Sequence, residues 1–169
     1  MLKVFMTLCL VAALKGQANA DAFIDAVVER HNYYRALHGV PAVTENAAIT
    51  AFAQDFATYL DTNGLWHHNP NASANGYGEN LSWMSNPAAT GQDHVDNLYI
   101  NEANFYAQQQ YCGEEPNMSY FAYYGHYTQI VWESSLEIGV GKSSGYVVIN
   151  YSPPGNYYNM FAENVPCPA

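Results

Sequence analysis

Apolar positions recur at helical spacing in three segments of the chain and then give way to short β-prone runs. Between Asp21 and Leu37, the residues Phe23, Ile24, Val27, Val28, Tyr34 and Leu37 fall near a 3.6-residue period, and Gly39 with Pro41 supplies the stop. Ala48, Ile49, Phe52, Ala53, Phe56, Ala57 and Leu60 trace a clearer i, i+3, i+4 stripe that Gly64 closes. Val95, Leu98, Tyr99, Phe105 and Tyr106 mark a third helix from about Gln92 to Gln109. The stretch "DTNGLWHHNPNASANGYGEN" before it reads as a long loop. Beyond it lie "QIVW", "IGVG" and "YVVINY", separated by glycine, serine and proline; the first of these is too short to separate strand from helical turn. Helices early and strands late predict an α+β domain whose helices pack on a mainly antiparallel sheet.

Length is consistent with that picture: 169 residues, 49% of them apolar, suit one domain with a full core. The first twenty residues stand apart. They carry Lys3, an apolar run from Val4 to Leu14 and a small-x-small ending at Ala18, Asn19 and Ala20, the pattern of a signal peptide cut after Ala20. The run is too short to cross about 30 Å of hydrocarbon, and no later segment could, so no transmembrane segment is expected. The expectation is a secreted, extracellular protein whose residues 21–169 form a single domain.

Cleavage would remove Lys3 and Lys15 and take the formal charge from -10 to about -12, with only Arg30, Arg35 and Lys142 left as cations. Such a chain lacks the basic footprint that nucleic acid requires. Tyrosine and asparagine are abundant instead, as befits recognition through neutral polar and aromatic groups. Cleavage also leaves an even cysteine count, Cys112 and Cys167, either bridged in an oxidising compartment or two free thiols. Of four glycosylation sequons, Asn71 and Asn117 lie in polar loops, whereas Asn80 and Asn150 sit beside apolar runs and read as structural.

Three polar features break the pattern. Glu102 falls on the apolar face of the third helix, beside Leu98, Tyr99, Phe105 and Tyr106, so it must be paired or must face a polar cavity. His67 and His68 precede a glycine-studded loop that ends on Glu79. His126 opens the run "GHYTQIVW". Each has an ordinary structural explanation: a satisfied buried carboxylate, surface histidines, a core histidine bonded to a carbonyl. Together, histidines and carboxylates are the side chains that hold a divalent ion or move protons, although their spacing matches no local metal motif and convergence would have to be tertiary.

Four ordered stretches carry a resemblance. "HNYYRALHGVPAV" (31–43), "HNPNASANGYGENLSW" (68–83), "GHYTQIVW" (125–132) and "VVINYSPPGNY" (147–157) resemble the successive signatures of the CAP superfamily of cysteine-rich secretory proteins, antigen 5 and plant pathogenesis-related class 1 proteins. The resemblance runs from about Phe23 to Val165. It implies an α-β-α sandwich around a cleft of two histidines and two glutamates. Carried over by motif, these are His68, ahead of the "GEN" that supplies Glu79; Glu102, in a helix where Tyr99 replaces the family's tryptophan and Tyr106 keeps its tyrosine; and His126. Gly125 would let the chain turn His126 inward. With two mature cysteines and no cysteine-rich module after the domain, the chain is similar to the minimal members, and ion-channel blocking loses support.

Two functions follow from this cleft. In a secreted binding protein, His68 and His126 ligate Zn2+ or another divalent cation, with Glu79 and Glu102 orienting them or binding water. The resemblance adds sterol or fatty acid as a ligand, for which Phe56, Tyr59, Leu65 and Trp66 are candidate groove residues as well as candidate core. The alternative is a metal-assisted or acid-base hydrolase, with Glu79 or Glu102 as base, or with Ser85 joining His126 and Glu102. Binding is the favoured reading. The same Asn- and Tyr-rich surface would also serve a purely structural or immune-recognition protein.

Overall fold

The computed structural model describes residue 20 and residues 22–169, so the signal-peptide expectation falls outside the described residues. Four strands form one sheet: β1 (Thr44–Glu45), β2 (Gly78–Trp83), β3 (Glu137–Ser143) and β4 (Tyr146–Ser152), in the order β1-β3-β4-β2. The β3-β4 hairpin and the β2-β4 pair are antiparallel, while β1 joins β3 in parallel, so the sheet is mixed although mostly antiparallel as expected. The helices are α1 (22–37), α2 (Ala47–Asn63), α3 (Gly91–Gln108), α4 (Gly125–Val131) and α5 (Phe161–Asn164).

Strand alternation divides the core into two layers. Val147, Ile149 and Tyr151 of β4, with Ile138 and Val140 of β3, face a large cluster built with Val27 and Tyr34 of α1, Val95 and Leu98 of α3, and Ile130 and Val131 of α4. Val148 of β4 and Leu81 of β2 point the other way, onto Ala53, Phe56, Ala57 and Leu60 of α2. These are two helical layers on one sheet, the α-β-α sandwich that the resemblance implied.

Local chemistry explains the helix ends. The Asn46 side chain accepts from the backbone N–H groups of Ala48 and Ile49 at the start of α2, and Gly64 ends it in the left-handed conformation. Thr90 and Asp93 form a reciprocal capping box on α3. The doubtful "QIVW" run proves helical, its first three residues closing α4. A seven-residue helix has too little periodicity to announce itself against three adjacent β-branched or aromatic residues.

The backbone of α2 packs directly against β3, which presents glycine to it at Gly139 and Gly141. A Cβ on Gly141 would lie 2.3 Å from the backbone of Ala53, and one on Gly139 would lie 2.2 Å from that of Ile49. Neither neighbour is a side chain that can swing aside. Gly141→Ala should therefore cost about 2 kcal/mol by overpacking, measured as a lower urea midpoint at unchanged m. An unchanged midpoint would mean that α2 is free to ride outward.

Cys112 and Cys167 are bridged, closing a 55-residue separation between the segment after α3 and the C-terminus. Asn80 and Asn150 are buried, in keeping with a structural role, and Asn71 and Asn117 are exposed. No helix among the described residues is long and apolar enough to cross a membrane.

Candidate functional site

Glu102 joins α3 to α4. One carboxylate oxygen accepts the backbone N–H groups of His126 (2.8 Å) and Tyr127 (3.0 Å), and the other accepts Nδ1–H of the His126 ring at 2.6 Å. The residue before α4, Tyr124, offers it no side-chain cap, so the carboxylate of another helix satisfies the orphan amides. This accounts for a glutamate on an apolar face: it is paired, with a histidine ring and with backbone N–H groups. Gly125 is needed for a different reason from the one expected. Its backbone is not left-handed; a Cβ there would lie 2.8 Å from the tip of the Phe121 ring, so a side chain at this position would push that ring aside.

Glu79 holds the second histidine in the same way. It pairs with Asn150 in the β2-β4 ladder, and its Oε1 accepts Nδ1–H of His68 (2.8 Å) and the backbone N–H of Asn69 (2.9 Å). The neighbouring His67 turns elsewhere, donating Nδ1–H to the His68 carbonyl and setting its ring against Phe56 and Tyr59. Of the two adjacent histidines, His68 is thus the one that belongs with Glu79.

His68, Glu79 and His126 line one cleft of about 330 Å³, together with Asn80, Phe121 and Asn156. Glu102 lies behind His126, on the wall of a second cavity of about 540 Å³ that His126 also lines. The four anticipated residues are therefore two matched histidine-carboxylate pairs, three of whose members share the cleft. In each pair the carboxylate fixes the proton on Nδ1, leaving the Nε2 lone pair as the free donor of a neutral ring. Among the described residues, no three His, Cys, Asp or Glu side chains are grouped to hold a metal ion. The donor set fits an ion held by two imidazoles with water completing its sphere.

Two asparagines missed as site residues brace this arrangement. Asn80 donates to the His126 carbonyl and to the Tyr151 hydroxyl (both 3.1 Å). Asn156, in the left-handed region at φ 63°, donates to the Gly125 carbonyl and accepts the Thr128 hydroxyl. The "PPGNY" stretch offered a signal for the second, since asparagine after glycine is a residue type that tolerates this conformation.

The groove residues separate. Phe56 and Tyr59 line a groove of about 360 Å³ beside α2, whereas Trp66 lines the 540 Å³ cavity with Leu81, Trp83, Leu98 and Tyr146. Of the four candidates only Phe56 is core, at 7% exposure; Trp66 is 55% exposed. Ser85 occupies an exposed bend, and both oxygens of Glu102 are already engaged by α4.

Residues 28–151 match the CAP family, described as the cysteine-rich secretory protein family. The human Golgi-associated plant pathogenesis-related protein 1 is 32% identical over 157 residues, covering 89% of this chain and 96% of its own. Pathogenesis-related protein 1C of Nicotiana tabacum is likewise 32% identical, over 89% of this chain and 86% of its own. In three dimensions the crystal structure of NaASP2 with Zn2+ superposes with a TM-score of 0.59 at 20% identity, over 86% of this chain and 85% of that one. Schistosoma mansoni venom allergen-like protein 4 gives a TM-score of 0.55 at 19% identity, over 86% and 94%. At those identities the solved structures speak to fold alone, and fold, ordered motifs and sequence identity together place this chain in the CAP family.

Proposed function

We propose that this chain is a secreted binding protein, with residues 1–20 as its leader and 21–169 as one CAP domain, that holds a divalent cation such as Zn2+ between His68 and His126. The observation that carries the reading is the pairing of both rings through Nδ1 with carboxylates, so that two free Nε2 atoms belong to one cleft. The NaASP2 structure with Zn2+ lends support from a protein of the same fold. The carboxylates favour binding over hydrolysis. Both oxygens of Glu102 are engaged by His126 and the α4 backbone, and Oε1 of Glu79 is held by His68 and Asn69, so each carboxylate is committed to orienting its histidine rather than standing free as a base. An apolar ligand, sterol or fatty acid, would occupy the 540 Å³ cavity, whose wall shares His126 with the cation cleft.

Titration calorimetry with Zn2+ at neutral pH tests the cation. His68→Ala and His126→Ala should each abolish measurable binding, and Glu79→Gln should weaken it about tenfold by loosening its histidine. A His126→Ala protein that binds Zn2+ like the wild type would sink the proposal. Energy transfer from tryptophan to a fluorescent sterol tests the cavity. The signal should fall when Trp66 and Trp83 are replaced by leucine, and binding unaltered in that variant would place the ligand elsewhere.

A further inference from the structure

The groove beside α2 takes no part in the cation cleft, and its chemistry is different. Phe52, Asp55, Phe56 and Tyr59 follow one another at i, i+3, i+4 and i+7, so all four project from one side of the helix. The ring of His67 closes the far side, 5.7 Å from Phe56 and 6.2 Å from Tyr59 and steeply inclined to both. Phe56 and Tyr59 are nearly parallel, 5.8 Å apart at 19°. The result is a concave wall of aromatic rings with one carboxylate set into it, enclosing about 360 Å³, within the range of small-molecule sites.

Among the described residues, no arginine or lysine pairs with Asp55. Arg30 is engaged by Asp96, Arg35 is buried against backbone carbonyls, and Lys142 reaches the carbonyls of Pro87 and Ala89 and lies over the Phe23 ring. These are the three cations among the described residues, and none meets Asp55. The formal charge of the whole chain is -10, so the field around the groove also attracts positive charge. Aromatic faces attract cations through their quadrupole, and they do so best for weakly hydrated ones. A carboxylate among such faces selects a cation that is apolar on its outside.

We propose that this groove binds a small free organic cation of the quaternary ammonium class. The methyl groups of such a ligand pack on Phe52, Phe56 and Tyr59, and Asp55 supplies the counter-charge. The same ammonium carried on a phosphate-bearing headgroup is disfavoured, because its phosphate would enter beside Asp55 in an already acidic protein.

Choline is the probe, titrated into the full secreted protein and followed by NMR shifts or calorimetry. Binding should be measurable at millimolar concentration. 3,3-Dimethylbutanol, which has the same shape without the charge, and phosphocholine should each bind at least about tenfold more weakly. Asp55→Asn and Tyr59→Leu should each lower choline affinity by about tenfold, and both sites are exposed enough that an unchanged thermal melt can certify the fold. His126→Ala should bind choline as the wild type does, which keeps this test independent of the cation cleft. The proposal fails if choline does not bind, if the neutral isostere binds as tightly, or if Asp55→Asn leaves affinity unchanged. Equal affinity for choline and phosphocholine would overturn the preference for a free cation.

Discussion

Replacing Arg35 by methionine should destabilise the protein by about 4 kcal/mol, roughly twice the loss expected for Gly141→Ala. The guanidinium is fully buried, yet no carboxylate among the described residues forms an ion pair with it. It donates instead to five backbone carbonyls: Pro41, Ile130, Trp132, Glu133 and Ser135. Four of these belong to the end of α4 and the turn that leads into β3, where a short helix leaves carbonyls without intrahelical partners. Arg35 therefore fastens α1 to the segment that carries His126. Methionine fills part of the volume but leaves the carbonyls buried and unpaired, and lysine, a single ammonium, cannot span five acceptors. Burial pulls the Arg35 pKa down to about 10, so the group remains charged at neutral pH and the clamp is intact there. Urea unfolding at neutral pH measures the effect. A loss below about 1 kcal/mol for Arg35→Met would show that water or local rearrangement satisfies those carbonyls as well as arginine does.

Arg35 also shows where the sequence was silent. In "HNYYRALHG" it reads as one of three surviving cations, and nothing in the period of the helix distinguishes a buried arginine from a solvated one, because all of its partners but Pro41 lie some hundred positions away in sequence. The three long helices were legible, since each buries one stripe and has a glycine or a capping residue at one of its ends, and α1, α2 and α3 fall within about two residues of expectation. The two-residue strand β1 was not, because two exposed residues paired in parallel with β3 leave no alternation to detect. The site was legible in a different way. Glu102 drew notice because a carboxylate on an apolar face demands a partner, and its partner is His126. That Glu79 belongs with His68 rather than His67 rested on motif resemblance alone. The choice depends on which way an irregular segment turns two adjacent rings, and no local pattern encodes that.

Acid should unfold this protein earlier than its carboxylates alone would, because three buried histidines, His31, His38 and His94, are held below the ordinary histidine value, the first and last of them far below it. His31 sits in the large core cluster, donating Nδ1–H to the Val27 carbonyl and accepting the Tyr151 hydroxyl at Nε2. Burial pulls its pKa down to about 4, with the nearby Arg35 charge adding to the effect. His94, bonded to Ser82, is pulled to about 4 by burial and then by Lys142. Both folded values lie below the unfolded value of about 6.5, so the unfolded chain binds more protons than the folded one between those limits. Stability contributed by keeping these rings neutral is complete above about pH 6.5, falls as pH drops through that value, and levels off once pH passes about 4. His31 and His94 are each expected to cost on the order of 3 kcal/mol across the window, and the two together approach the whole stability of an ordinary domain. His31→Gln can keep a hydrogen bond to Tyr151 but cannot titrate. It should begin less stable at pH 7 and lose less stability than the wild type between pH 6.5 and pH 4, by about the 3 kcal/mol assigned to His31, while His38 and His94 still titrate. Urea melts at pH 7, 5.5 and 4 decide the matter: parallel losses in wild type and His31→Gln would mean that His31 takes up its proton without disturbing the core.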